Sequence, residues 1–189
     1  MHKIQPFIDR YNASAKPFVW GATEQAIIDK GGTWGRNAGN VMANVTVTRR
    51  IDAPADVVFR TIAHVEQFSQ AVPHILRVEF LSEVKSGVGA RFRETRTMMG
   101  REASTELEVT EYVENERVRM VSEAGGALWG TVFTVAPDGE RTGLKMVMDA
   151  RPRTLSARMT VPLIIGMVRK AVEQDMDALK SFCERPGRR

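Results

Sequence analysis

The feature that most constrains this chain is a long stretch, from residue 74 to residue 150, in which apolar and polar side chains alternate. Only turns rich in glycine or polar residues interrupt it, such as "KSGVG", "ENE" and "DGERTG". A period of two is typical of strands with one buried and one solvated face, and short turns join such strands into antiparallel hairpins. We therefore predict six consecutive strands in one antiparallel meander.

A strand and two short helices are predicted before the meander, and one long helix after it. "NVTVTRRI" from Asn44 to Ile51 alternates as a strand does. The next segment, "DAPADVVFRTIAHVEQFSQAVP", has helical spacing, with Pro54 in the first turn and a second short helix from Phe68 to Pro73. The last helix is predicted to begin near Thr160, with Pro162 in its first turn. Its apolar stripe consists of Ile165, Val168, Val172, Met176, Leu179 and Cys183.

The fold class follows from what can cover the meander. An antiparallel sheet with one apolar face needs a second layer, and the terminal helix is the only element long enough to supply it. The prediction is an α+β fold, in which a curved antiparallel sheet of about seven strands wraps around a long C-terminal helix. Gly166 in that helix is expected to let the backbone pass close to a strand or a ligand.

The regular pattern begins only at Met42, and the chain of 189 residues is long enough for one domain of ordinary size. We predict an N-terminal extension over 1–41 that is not part of the domain, a ligand-binding domain over 42–185 and a short tail over 186–189. The expected localisation is cytoplasmic, because no signal peptide is recognised and a single cysteine excludes an internal disulfide. The longest apolar run, "VPLIIGMV", is too short to span a membrane, so stable membrane anchoring is not expected.

The net charge of +4 is divided equally between residues 1–41 and the remainder, at +2 each. Residues 1–41 hold five basic and three acidic residues, which leaves 22 basic and 20 acidic residues for the remainder. The charges alternate in sign along the predicted strands, as in "RFRETR", and form no one-sided basic block outside the C-terminal "RPGRR". Nucleic-acid binding needs a clustered basic face, so it is not expected.

The order of elements, headed by "VTVTRRIDAPADVVFRTIAHVEQFSQAVP" and closed by "AVEQDMDALKSF", resembles the START/birch-pollen-allergen (SRPBCC) superfamily of helix-grip proteins. More narrowly, residues 44–184 resemble the bacterial polyketide cyclase/dehydrase and lipid-transport branch. The resemblance implies a cavity between sheet and helix for an apolar or amphipathic small molecule. Members include carriers, sensors and cyclases, so the resemblance is specific for fold and says little about function.

Residues 4–28 differ from the rest and resemble the C-terminal tail of a DDE insertion-sequence transposase. The resemblance rests on Tyr11–Asn12, Lys16–Pro17–Phe18 and Trp20. The catalytic acidic residues of that family have no counterpart here, so transposase activity is not implied. The segment is interpreted as a gene junction or upstream start, with Met42 as the native start. The alternative is a real extension that docks on the domain.

Candidate catalytic groups are few, and no catalytic residue is assigned. His64 and His74 flank the second short helix, where the resemblance implies a cavity mouth, and a histidine beside a carboxylate can act as a general base. The alternative is that both face solvent at helix ends. Cys183 lies on the apolar stripe and is expected to be buried and inert. The sequence shows no phosphate-binding glycine loop and no residues at metal-ligand spacing, so neither a cofactor nor a metal is expected.

The strand "RFRETRTM" is the most informative candidate for a site. If Phe92 faces the interior, then Glu94, Arg96 and Met98 do too, and a buried charge is tolerated only when it is paired or liganded. Glu94 and Arg96 can then orient a ligand head group. The alternatives are a register displaced by one residue, or a strand end at the solvent-exposed rim. The predicted ligand-binding residues are Phe92, Glu94, Arg96, Met98, Leu107, Met120, Trp129, Phe133, Met146, Met148 and Met167.

Three functions remain open at this point. The first is a carrier or sensor that binds a lipid, polyketide or isoprenoid. The second is a cyclase- or dehydratase-like enzyme with an acid or base in the same pocket. The third is a module that binds a protein partner, which a filled interior would favour. The sequence does not determine the oligomeric state.

Overall fold

The computed structural model describes residues 43–98 and 100–185. The predicted extension over 1–41 and the tail over 186–189, including the transposase-like segment, lie outside the described residues. The described elements are β1 (Ala43–Ile51), α1 (Ala55–Ala63), α2 (Val65–Ala71), β2 (Ile75–Phe80), β3 (Arg91–Met98), β4 (Arg101–Val113), β5 (Arg117–Ala124), β6 (Ala127–Asp138), β7 (Arg141–Pro152) and α3 (Leu155–Cys183).

The strands form one sheet in the order β1-β7-β6-β5-β4-β3-β2, and every neighbouring pair is antiparallel. The six consecutive strands β2 to β7 are therefore the predicted meander, with β1 added beside β7. The alternation places one side chain of every two on the inner face, where Phe92 lies opposite Leu107 and Val45 opposite Met148. The predicted strand order and pairing are confirmed.

The inner face of the sheet packs on α3. The core contains Val172, Met176 and Leu179 of the helix together with inner-face residues such as Val47 and Phe133. The helix meets β1 at one side of the sheet, where Arg49 contacts Asp177, and it meets β3 near the other side, where Arg96 contacts Asp175. One helix can reach both strands only because the sheet curves around it. This is the predicted helix-grip arrangement.

The two short helices extend the core beside the sheet. In α1, Val58, Phe59 and Ile62 are buried, and the Phe59 ring meets Tyr112 edge-on with ring centroids 5.3 Å apart. In α2, Phe68 meets Phe133 of β6 in the same manner at 5.9 Å. Edge-to-face aromatic pairs of this kind add to the free energy gained by burial.

The helix boundaries differ from the predicted ones. Pro54 is the N-cap of α1 and not a first-turn residue, and α2 begins at Val65, because His64 adopts an extended conformation that separates the helices. Helix α3 begins at Leu155, so Pro162 lies inside it. The side chain of Pro162 is exposed, which lets the carbonyl that loses its hydrogen bond there face solvent.

The early start of α3 has a local cause. The hydroxyl oxygen of Thr154 accepts a hydrogen bond from the backbone N–H of Ala157 at 3.1 Å and thereby caps the helix. The Thr154 N–H donates in turn to the Gly126 carbonyl in the β5–β6 turn. Gly126 has a φ of 73°, and a Cβ there would lie 2.5 Å from the Thr154 hydroxyl oxygen. A Cβ on Gly166, by contrast, would meet no atom from another described element within 4 Å, so the close approach of Gly166 to a strand is wrong. Its approach to a ligand stays a prediction.

Candidate functional site

The inner face of the sheet is closed at one end and partly accessible at the other. Near the β4–β5 and β6–β7 turns, Val118, Val135 and Leu144 are at most 2% exposed. Toward the β3–β4 and β5–β6 turns, where α3 begins, Ala127 and Ala150 are covered by α3, but seven other inner-face side chains are only half-buried. We call these residues the accessible half of the inner face: Ala103, Thr105, Leu107, Ser122, Trp129, Thr131 and Met148.

A charged network lies on β3 beside this accessible half. The Arg96 Nε donates to Glu94 Oε1 at 2.6 Å, and Arg96 Nη1 donates to Asp175 Oδ2 of α3 at 2.9 Å. The side chains of Arg96, Glu94 and Asp175 are 22%, 10% and 13% exposed, respectively. We refer to these three residues as the Arg96 network. The inward orientation and the pairing predicted for Glu94 and Arg96 are confirmed.

The local sequence explains why the network forms there. Residues two apart on β3 share a face, so Glu94 and Arg96 both point inward after Phe92. Their cross-strand partners on β4 are Thr105 and Ala103, which are small enough to leave the longer side chains room to turn toward the helix. Asp175 lies at the edge of the buried stripe of α3, next to Met176, which is 1% exposed.

The electrostatics of the network keep Arg96 charged. Burial by itself would lower the pKa of Arg96, but the negative charges of Glu94 and Asp175 and their hydrogen bonds outweigh it, so that its pKa is raised. A guanidinium between two carboxylates therefore stays ionised throughout the range in which proteins are folded. With both carboxylates ionised, the Arg96 network has a formal charge of −1.

The network leaves hydrogen-bonding positions unused. Within residues 43–98 and 100–185, Glu94 accepts only at Oε1 and Asp175 only at Oδ2, while the Nη2 group of Arg96 donates to neither. A carboxylate has two oxygens that accept and a guanidinium has five N–H donors. A free acceptor and a free donor group thus remain beside half-buried apolar side chains.

The structure distributes the predicted site residues over three environments. Phe92, Met120, Phe133 and Met146 are fully buried in the closed core, each at most 7% exposed. The accessible half itself includes Leu107, Trp129 and Met148, and the Arg96 network beside it includes Glu94 and Arg96. Met98 and Met167 are 42% and 39% exposed, so the burial expected for them is wrong. Met98 ends β3 at a turn, and Met167 faces away from the sheet on α3. The ligand-binding role of all these residues remains a prediction.

Polar groups of the network and of the accessible half include some that the sequence analysis did not select. Asp175 was missed, as were the hydroxyls of Thr105, Ser122 and Thr131 on the accessible half. Inward-facing hydroxyls at alternate strand positions are the signal that could have identified them. The indole N–H of Trp129 is already used, since it donates to the Ala124 carbonyl at 3.2 Å.

The other candidate groups are not part of the network, although the backbone carbonyl of His74 accepts a hydrogen bond at 3.0 Å from the N–H of Thr97, the residue after Arg96. His64 separates α1 from α2 and is half-buried, and the His74 side chain is exposed. Cys183 is buried at the end of α3, as expected. In the part of the chain that the structure describes, no three histidine, cysteine or acidic side chains come together as a metal site. No helix in the same part combines the length and apolarity needed to cross a membrane.

Solved structures with this fold come from several bacteria. TTHA0849 from Thermus thermophilus is 20% identical with a TM-score of 0.62, over 74% of this chain and 96% of the other. The Zhui aromatase/cyclase from Streptomyces sp. R1128 is 19% identical with a TM-score of 0.65, over 76% and 94%. A START superfamily protein from Mycobacterium smegmatis is 18% identical with a TM-score of 0.57, over 75% and 94%. At these identities the similarity shows the fold alone.

Sequence comparison identifies the family. No curated protein matches the chain. Residues 42–184, which include every strand and helix described above, match the family described as polyketide cyclase/dehydrase and lipid transport. The chain therefore belongs to the polyketide cyclase/dehydrase and lipid transport family.

Proposed function

We propose that this protein binds an apolar or amphipathic small molecule, of the lipid, polyketide or isoprenoid class, between the accessible half of the inner face and α3. It would act as a carrier or sensor. The observation that carries the proposal is the Arg96 network, a buried charged group with unused hydrogen-bonding positions beside half-buried apolar side chains. Sites for small molecules combine an apolar lining with a few convergent polar groups in this manner.

The side chains of the accessible half and of α3 support an apolar ligand body. Leu107 and Met148 are partly buried against the main core, and so are Ile165 and Val168 on α3. Trp129 adds an aromatic surface at the same end of the sheet. Burying apolar ligand surface against such side chains yields about 25 cal/mol per Å² removed from water. Methionine adapts its shape, which suits a pocket that accepts related ligands.

The charges of the network favour a particular head group. Glu94 Oε2 can accept a hydrogen bond from a ligand hydroxyl or amine, and Arg96 Nη2 can donate to a ligand carbonyl. Because the network has a formal charge of −1, a carboxylate or phosphate would meet net repulsion. A neutral head group that has both a hydroxyl and a carbonyl group therefore fits best.

Native mass spectrometry of the purified protein, before and after denaturing extraction, tests this proposal. We expect a small-molecule mass that is retained by the native protein and lost on denaturation. Glu94→Gln should reduce the retained fraction, since it removes the anionic acceptor while Gln can still pair with Arg96. The matched control is Glu102→Gln on β4, an exposed carboxylate two residues from the β3–β4 turn. Equal retention by the two variants would remove Glu94 from the site.

A second candidate function is proton transfer on the bound molecule, as in a cyclase or dehydratase. The free Oε2 of Glu94 favours it, because a carboxylate next to the ligand can accept a proton as well as a hydrogen bond. The two functions make different predictions for Glu94→Gln. A carrier loses affinity, whereas an enzyme accumulates unreacted ligand. For a dehydratase the ligand retained by the variant would be heavier by one water. For a cyclase, whose product is an isomer of its substrate, the retained ligand would keep its mass and change its fragmentation pattern.

A further inference from the structure

The first half of α3 exposes a row of large apolar side chains. Leu155, Met159 and Leu163 are 80%, 76% and 81% exposed, and Met167 is 39% exposed. They lie four residues apart, so on a helix of about 3.6 residues per turn they form one continuous stripe. We call these four residues the outer stripe. Single exposed apolar residues are ordinary, but a contiguous row of them on a soluble surface marks an interaction site.

The outer stripe faces away from the domain. The buried residues of the same half of the helix, Ala157 and Val161, pack against Ala127 and Ala150 at the ends of β6 and β7. With about 100° between successive helical residues, the outer stripe lies on the opposite side of the helix. The exposed Pro162 and Gly166 lie on that side as well. The core of this domain therefore does not explain the stripe.

The charges in the segment that carries the stripe all have one sign. Between Asp149 and Glu173 the chain has no acidic residue. Over the same interval the side chains of Arg153, Arg158, Arg169 and Lys170 are exposed. An amphipathic helix with an apolar face and flanking cations is the pattern of segments that lie in the interface of a bilayer. Anionic lipid head groups attract such cations.

We propose that the first half of α3 is a reversible docking surface for an anionic lipid bilayer. The outer stripe would enter the boundary between head groups and acyl chains, and Arg153, Arg158, Arg169 and Lys170 would contact the lipid phosphates. A symmetric contact between two copies through the same surface fits less well. It would bring these cations together with no acidic residue in the segment to neutralise them.

The outer stripe lies at the end of the domain where docking would bring the accessible half of the inner face to the bilayer. Helix α3 begins at the end of the sheet where the β3–β4 and β5–β6 turns lie, which is the end with the accessible half of the inner face. At that end Met98 is 42% exposed, which adds an apolar side chain, while the exposed Arg101 and Glu102 beside it have opposite charges. Docking would turn the accessible half toward the lipid. The proposal rests on the surface of α3 alone and stands even if the inner face binds no ligand.

Vesicle co-sedimentation of the full chain tests the proposal. The vesicles are phosphatidylcholine alone, or phosphatidylcholine mixed with phosphatidylglycerol. We expect binding to the mixed vesicles, weaker binding to phosphatidylcholine, and a decrease as salt shortens the screening length. Leu155→Gln/Leu163→Gln should lower the partition coefficient by about tenfold or more, because it removes the two most exposed apolar side chains. Arg158→Gln/Lys170→Gln should lower it by about fivefold per cation.

The matched control is Val84→Gln, which changes another exposed apolar residue, 48% exposed, in the β2–β3 connection at the opposite end of the sheet. It should bind as the wild type does. All variants should keep the melting temperature, since the changed side chains contact little. Three results would overturn the proposal: no binding of the wild type to mixed vesicles, unchanged binding by the Leu155→Gln/Leu163→Gln variant, or a dimer abolished by that variant without any vesicle binding.

Discussion

Replacement of Arg96 by methionine tests whether the Arg96 network is an interior charge system. Methionine keeps much of the apolar stem and removes the cation that contacts both Glu94 and Asp175. Breaking a fully buried ion pair by removing one partner costs about 3–5 kcal/mol, because the other charge is left without compensation. Here the side chains are 10% to 22% exposed, so water compensates part of the loss. We expect a decrease of about 2–3 kcal/mol in the free energy of unfolding.

Strand β3 supplies a matched control for this substitution. Arg93 also contacts two carboxylates, Glu106 at 2.7 Å and Glu79 at 3.5 Å, but on the outer face, where its side chain is 41% exposed. Arg93→Met therefore makes the same chemical change on the same strand without burial. Because exposed ion pairs add little to stability, it should cost much less than Arg96→Met.

The assay is chemical denaturation monitored by far-UV circular dichroism. If the slope m is the same in the variants, a change in the denaturation midpoint is a change in stability. The reasoning is refuted if Arg96→Met costs no more than Arg93→Met, because the two arginines would then differ in position but not in environment. It is also refuted if Arg96→Met stabilises the protein.

Two further predictions concern how α3 is held. Asp177 has a pKa below its ordinary value because Arg49 donates a hydrogen bond to it. A lowered carboxyl pKa stabilises the fold above the pH at which the unfolded group titrates, and the contribution is lost as the pH falls through the folded pKa. Asp177→Asn should therefore cost less than about 1 kcal/mol at pH 7. The denaturation midpoints of wild type and variant should converge as the pH falls below the ordinary aspartate pKa of about 4, and a gap that widens in acid would contradict this. Thr154→Ala should cost about 1 kcal/mol, because Ala157 loses the acceptor for its N–H. Thr154→Ser should keep the wild-type free energy of unfolding in the same denaturation assay. An alanine variant that is as stable as the wild type would show that the cap is unimportant.

The alternation and spacing of apolar residues in the sequence were sufficient to predict the sheet but not the ends of the helices. Alternation along each strand determines the inner and outer faces, and turns place consecutive strands side by side, so the order from β2 to β7 was predictable. The start of α3 was not, because Thr154 is held by Gly126 in a turn that is distant in sequence. Pro162 fits a first turn, and nothing local shows that the helix extends before it.

The site was predictable only where it depends on a single strand. Glu94 and Arg96 share a face because they are two residues apart, and their pairing follows from that spacing. Asp175 joins them from a helix far along the chain, and periodicity cannot say which acidic residue of that helix faces β3. The exposed Met167 is a second case in which helical periodicity did not determine which residue faces the sheet. An apolar residue on a helix is predicted to be buried when its neighbours are, yet the outer stripe faces solvent.

Methyl NMR of methionine-labelled protein, titrated with the neutral apolar probe N-phenyl-1-naphthylamine, tests the central claim most directly. Met148 lies on the accessible half of the inner face, whereas Met159 lies on the outer stripe at 76% exposure. If the inner face binds apolar molecules, the Met148 methyl signal shifts saturably, and Glu94→Gln weakens the saturation while Glu102→Gln does not. If only the Met159 and Met167 signals shift, or none does, the inner face does not bind such a molecule and the proposed function is wrong.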